Sequence, residues 1–159
     1  MVNIYNKIYF KFRKREVCKA KIIMKKLDLG NIDKGISKIC WNNGIEYEAI
    51  LKKPETLLLL LRGKKDVRLL KFVKKDMIFL EEFESYLDDL YKYDVTKGVY
   101  ITTGVFEQRI RDKCSFIPMY KKIKLVDKYN FIKDQLGVNG KALEVFKENR
   151  FKLYKYLPN

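Results

Sequence analysis

A mixed α/β fold, a central sheet flanked by helices, is what this sequence predicts, and three stretches carry the prediction. Residues 56–61, Thr-Leu-Leu-Leu-Leu-Leu, make a continuous apolar run of strand length, the kind that fills the middle of a sheet covered on both faces. Residues 77–93 place Leu80, Phe83, Leu87 and Leu90 on one helical stripe, with Glu81, Glu82, Glu84, Asp88 and Asp89 on the opposite face. Residues 97–106, Lys-Gly-Val-Tyr-Ile-Thr-Thr-Gly-Val-Phe, set a β-branched and aromatic strand directly ahead of a Thr-Thr-Gly stop.

Taken in order, residues 1–30 predict a basic N-terminal β-hairpin. Segments 4–13 and 17–24 alternate apolar and polar positions, with Ile8, Phe10 and Phe12 against Lys7, Lys11 and Arg13, and Arg13-Lys14-Arg15-Glu16 joins them. The spacing of Ile32, Ile36, Ile39 and Cys40 predicts a helix over 32–42, stopped by Gly44. A strand over 45–51 follows, then a turn at 52–55, and the apolar strand exits at Arg62-Gly63. Residues 62–75 read as a basic connection, partly a strand with its charges turned outward. After the Thr-Thr-Gly stop a helix is expected over 105–114, capped by Thr103 or Gly104 with Glu107 returning a bond. Pro118 breaks the chain, 123–126 is a strand, and 128–136 is a helix stopped by Gly137. The end, 139–156, reads as a basic aromatic helix that packs back onto the domain, with stacking on bases as its other use. The organisation is therefore a hairpin (1–30), an α/β core (31–137) and a helical tail (138–159), joined as one compact domain.

Composition narrows the function. The 159 residues, 47% of them hydrophobic, are enough for one real core, while a net charge of +15 and a pI near 9.6 call for a polyanionic partner. Nucleic acid comes first and a membrane surface second, since no apolar run approaches the ~20 residues of a spanning helix and no signal-peptide core opens the chain. Three widely spaced cysteines fit reduced, buried thiols in a cytoplasmic protein. The absence of histidine excludes Ser-His and Cys-His catalysis and histidine metal sites. Candidate phosphate contacts are Arg13, Lys14 and Arg15 of the hairpin connection, Lys64, Lys65 and Arg68 of the basic connection, and Lys97, Thr102 and Thr103 of the strand and its turn. The turn is included because a strand running into a helix N-terminus leaves free backbone N–H groups for an anion.

Lys97-Gly-Val-Tyr-Ile-Thr-Thr-Gly-Val-Phe106, with the later Ile123-Lys-Leu-Val-Asp127 ahead of a helix, resembles the Mrr-like branch of the restriction-endonuclease-like PD-(D/E)xK nuclease superfamily, over about 31–137. The resemblance implies a restriction-endonuclease-like mixed sheet, DNA ahead of RNA as partner, homodimerisation and, in an active member, Mg²⁺. Those nucleases carry an acidic residue after a glycine turn on one strand and Glu or Gln, any residue, Lys on the next. Gly44-Ile45-Glu46 falls at the first position, with Glu48 on the same strand face. Leu60-Leu61-Arg62 falls at the second, where Leu60 cannot ligate a metal and the delocalised guanidinium of Arg62 cannot relay protons as the family's Lys does.

The leading expectation is thus a nucleic-acid-binding protein with a degenerate nuclease site. One alternative is an active endonuclease in which Glu46 and Glu48 hold Mg²⁺ and Arg62 clamps the phosphate. Another is an adaptor whose acidic helix 77–93 meets a basic protein. Glu46 and Glu48 also fit a plain exposed strand face.

Overall fold

Five strands form the central sheet of the computed structural model, which describes residues 3–159. They are β1 (Glu46–Lys53), β2 (Thr56–Arg62), β3 (Val67–Val73), β5 (Lys97–Thr102) and β7 (Ile123–Val126), in that spatial order. β1, β2 and β3 pair antiparallel, and β3, β5 and β7 pair parallel. A second, two-stranded sheet joins β4 (Met77–Ile78) to β6 (Val105–Phe106) in parallel. This is the mixed sheet between helices that the sequence predicts, with β2 buried along its apolar run.

Period-2 alternation divides the apolar side chains between two cores. Leu57, Leu59, Leu61, Leu70, Phe72, Val99 and Ile101 face one side, covered by α2 (Lys14–Met24), α3 (Leu29–Asn43), α6 (Lys128–Leu136) and the C-terminal tail. Leu58, Leu60, Leu69 and Tyr100 face the other, covered by α4 (Leu80–Lys92) and α5 (Gln108–Phe116).

Residues 1–30 do not form the expected hairpin; they form α1 (Ile4–Phe12) and α2. Ile4, Ile8 and Phe12 recur every four residues, and Val17, Ala20 and Met24 fall at i, i+3 and i+7, so the segment also carries a helical period. The tertiary contacts decide between the two periods: α2 buries Val17, Ala20 and Met24 in the core it shares with α3 and the tail. Arg13-Lys14-Arg15-Glu16 is then a helix junction, not a strand turn. Glu16 accepts a hydrogen bond from the Ala142 amide at 2.7 Å, and Tyr9 donates to the Gly137 carbonyl at 2.7 Å. These bonds tie both chain ends to one core.

Three further boundaries differ. The acidic helix starts at Leu80 because Met77 and Ile78 pair with Val105 and Phe106. For the same reason α5 begins at Gln108, and Glu107 caps the neighbouring helix by accepting from the Leu80 amide at 2.8 Å. The tail is not one helix. A π-turn at Leu143–Lys147 and a 3₁₀ turn at Leu153–Tyr156 are separated at Asn149, whose φ of 55° ends helical geometry. The tail does pack back: Phe146, Leu153 and Tyr156 are buried, with Tyr156 stacked on Phe131 at 6.0 Å. Of the three thiols Cys40 is buried, and burial pushes it up to about 11, but Cys18 is exposed on α2, against expectation. No helix among the described residues is long and apolar enough to cross a membrane.

Candidate nucleic-acid interface

The strand residues singled out from the sequence lie at two ends of the sheet, and Arg13, Lys14 and Arg15 lie apart from it at the junction of α1 and α2. Arg62, Val67 and Glu46 share one register row, and Arg68 and Lys97 are cross-strand partners next to it. Thr102, opposite Val73, lies at the far end of β5. Five residue steps along β5 separate Lys97 from Thr102, about 17 Å.

At the amino end of the parallel strands the sheet order gathers basic side chains. Arg68, Lys97 and Lys124 stand at or next to the first positions of β3, β5 and β7, and with Lys122, Gly98 and Val99 they line a cleft of about 250 Å³. One carboxylate, Asp66, sits with them, bonded by Arg68 at 2.9 Å and near Lys97 at 3.5 Å. Burial works against its charge. The hydrogen bonds from Arg68 and the Asn159 amide, with the Lys97 charge, outweigh burial and hold the Asp66 carboxyl below its ordinary range. Lys122 and Lys124 are exposed and pair with no carboxylate among the described residues. The cleft thus carries four cations against one anion, in a concavity that focuses a positive field. Its floor is close-packed: a Cβ on Gly98 would meet the Tyr86 hydroxyl at 2.1 Å, and that hydroxyl donates to the Leu69 carbonyl at 2.7 Å. Lys64 and Lys65 are exposed on the β2–β3 loop beside Asp66.

The Thr-Thr-Gly turn is committed elsewhere. Thr102 is fully buried; its hydroxyl donates to the Lys75 carbonyl at 3.3 Å and accepts from the Gly104 amide at 3.1 Å. The Thr103 hydroxyl accepts from the Lys75 amide at 3.2 Å. The Thr103 and Val105 amides go to the Val73 and Asp76 carbonyls. With the Thr103 and Val105 N–H groups spent on the 73–76 loop and the Gly104 N–H on the Thr102 hydroxyl, the turn fastens the fold and leaves no amide cradle for an anion. Thr102→Val should therefore cost about 1–3 kcal/mol in urea unfolding, the penalty of stranding the buried Gly104 N–H, with nucleic-acid affinity unchanged. Arg13 is similarly occupied, donating to the Gly140 carbonyl, whereas Lys14 and Arg15 are exposed at the start of α2.

Glu46, Glu48 and Arg62 do converge. One guanidinium nitrogen of Arg62 lies 3.3 Å from Glu46 and 3.0 Å from Glu48, on an open sheet face where Glu46 is 70% and Glu48 51% exposed. This donor set does not fit Mg²⁺: the two carboxylates already share a cation, and no group of three metal-ligating side chains occurs among the described residues. Exposed pairs of this kind contribute little, so Arg62→Ala should change unfolding stability by less than about 1 kcal/mol.

Three carboxylates on the acidic face of α4 are paired within the chain, while Asp88 is exposed and Asp89 half-buried. Glu82 meets Lys75 at 2.6 Å and caps the Phe79 amide, Glu84 meets Lys113 at 3.1 Å, and Glu81 lies 3.8 Å from Arg109.

Sequence reasoning passed over Lys122 and Lys124, whose role depends on β7 pairing beside β5. It also turned Lys71 outward. β3 alternation puts Lys71 on the Leu69 face under α4, its ammonium 5.4 Å from the Tyr100 ring centre. Burial lowers the Lys71 pKa, opposed by Asp89 and Glu82. The period-2 pattern Val67, Leu69, Lys71, Val73 was the available signal.

The class that the fold defines is mixed α/β, with a five-stranded mixed sheet between helical layers. No family model matches the chain, and no curated protein matches it. Among solved structures it is similar to the MspJI restriction endonuclease in complex with a 27-mer oligonucleotide, at 10% identity and a TM-score of 0.33. That alignment covers 98% of this chain and 36% of the other, so the chain spans about a third of the solved protein's length.

Proposed function

We propose that this protein binds nucleic acid, DNA ahead of RNA, by gripping backbone phosphates in the cationic cleft, and that its nuclease-like site is catalytically degenerate. The observation that carries the reading is the gathering of Arg68, Lys97, Lys122 and Lys124 around the single paired Asp66. Lys64 and Lys65 on the adjoining loop extend the basic surface along a bound backbone. Degeneracy is supported by the pairing of Glu46 and Glu48 with Arg62, which fills the place of a metal with a fixed cation.

Binding of labelled duplex and single-stranded DNA, measured by fluorescence polarisation across a salt series, tests the first half. Affinity should fall steeply with salt as counterions are released, and absence of binding at ~50 mM salt would sink the reading. Incubation of the same DNA with Mg²⁺ or Mn²⁺ tests the second half. Intact substrate is expected, and cleavage abolished by Glu46→Ala would restore the active-endonuclease alternative.

A further inference from the structure

α1 has two faces, and the fold uses one of them. Toward the domain, Tyr9 donates to the Gly137 carbonyl, Phe10 and Tyr129 pack edge to face with ring centres 5.7 Å apart, and Asn6 accepts from the Lys133 ammonium. On the other face Ile4, Tyr5, Ile8 and Phe12 are 70%, 78%, 47% and 81% exposed. At about 3.6 residues per turn these four side chains share under a third of the helix circumference, and Lys7 and Lys11 flank them. No residue of α1 is buried, so the fold itself leaves this stripe uncovered. Single apolar side chains on a surface need no explanation, but a contiguous stripe marks an interaction site.

The charge around the stripe selects the partner. Residues 3–15 contain no acidic residue, and Lys7, Lys11, Lys14 and Arg15 are all exposed. The first acid in the chain, Glu16, is taken up by Lys19 and the Ala142 amide. A second copy meeting stripe to stripe would set Lys7 and Lys11 against their own counterparts. Nucleic acid suits the cations but offers little to Ile4 and Ile8, because bases stack on aromatic and guanidinium planes. An anionic bilayer surface satisfies both halves. Cations meet lipid phosphates in the headgroup layer while apolar side chains enter the acyl boundary, and a tyrosine sits well where the two layers meet. The nine residues of α1 span about 13 Å, and no helix among the described residues is long and apolar enough to cross a membrane. Such a helix lies in the interface.

We propose that α1 seats the protein on anionic phospholipid, with Ile4, Tyr5, Ile8 and Phe12 entering the lipid and Lys7, Lys11, Lys14 and Arg15 at the headgroups. None of these residues lines the cationic cleft, so lipid and nucleic acid use separate surfaces.

The test is flotation of the full chain with vesicles of phosphatidylcholine alone, or with about one third phosphatidylglycerol, in ~0.1 M salt. Binding to the anionic vesicles should exceed binding to the neutral ones by more than about 10-fold. Ile8→Ser combined with Phe12→Ser should lower partition into the anionic vesicles by about 10-fold or more. The urea midpoint should stay unchanged, because neither side chain is buried. Lys7→Gln combined with Lys11→Gln should lower partition by about 5-fold for each charge. The variant lacking Lys97, Lys122 and Lys124 should stay within a few-fold of wild type on vesicles, which separates this surface from the cleft. Failure of the wild type to float with anionic vesicles overturns the proposal. So does equal flotation of wild type and the double serine variant, since charge alone would then hold the protein. If that variant floats like wild type but loses affinity for single-stranded DNA, the stripe serves nucleic acid. If it floats like wild type but turns a dimer into a monomer by light scattering, the stripe serves a second copy; both results overturn the lipid assignment.

Discussion

Gly104→Ala is expected to lower unfolding stability by about 3 kcal/mol or more, the upper range for overpacking. An added Cβ would lie 2.1 Å from the carbonyl oxygens of both Lys75 and Asp76, and neither is the end of a movable side chain. Both carbonyls belong to the loop that Thr102, Thr103 and Val105 hold by hydrogen bonds, and the Gly104 carbonyl accepts from the Lys128 amide at 2.9 Å. Relieving the clash means separating the 73–76 loop from the turn, which also loosens the β4–β6 pair and the Glu107 cap on α4. Urea unfolding of Gly104→Ala beside Thr102→Val measures the effect. A loss below about 1 kcal/mol would mean that the turn is not the clamp described here.

The second large effect concerns binding. Replacing Lys97, Lys122 and Lys124 together with Ala should weaken single-strand binding by about 100-fold at 0.1 M salt. Each neutralised phosphate contributes about 0.7 decade per tenfold change in salt, and three together approach two decades. Arg68 is kept in this variant, so the mostly buried Asp66 retains its bonded partner and the fold does not inherit an unpaired carboxylate. The matched control removes Lys53, Lys74 and Lys128, which follow or end β1, β3 and β7 at the far end of the sheet. The same net charge is removed there, and the expected weakening is only a few-fold from the long-range field. Equal weakening in the two variants would mean that total charge, and not the cleft, drives binding.

Much of the fold was legible because its signals are local. The run at 56–61 marked the central strand, the stripe Leu80, Phe83, Leu87 and Leu90 marked α4, and Val99-Tyr100-Ile101 marked the buried β5. The first 30 residues misled because Ile8, Phe10 and Phe12 satisfy a strand period while Ile4, Ile8 and Phe12 satisfy a helical one. Burial of Val17, Ala20 and Met24 against distant residues decided between them.

The Thr-Thr-Gly turn was visible as a turn, but its use was not. Nothing near it in sequence says that the Val73, Lys75 and Asp76 carbonyls approach and accept from Thr103, Thr102 and Val105. The cleft was half legible. Arg68 and Lys97 stood out as basic residues flanking strands, but their meeting with Lys122 and Lys124 needs β3, β5 and β7 to lie side by side, which no local pattern states. Period-2 alternation placed Glu46 and Glu48 on one strand face, and the structure adds that Arg62 meets them there, on a solvent-facing surface.

Phosphate binding in the cleft is decided by the salt dependence of single-strand binding, measured for wild type and for the variant lacking Lys97, Lys122 and Lys124. Taking these three phosphate-binding ammonium groups out of the cleft should reduce the slope of log affinity against log salt by about 2, with the far-end control close to wild type. Identical slopes for wild type and the cleft variant would contradict phosphate binding at this site.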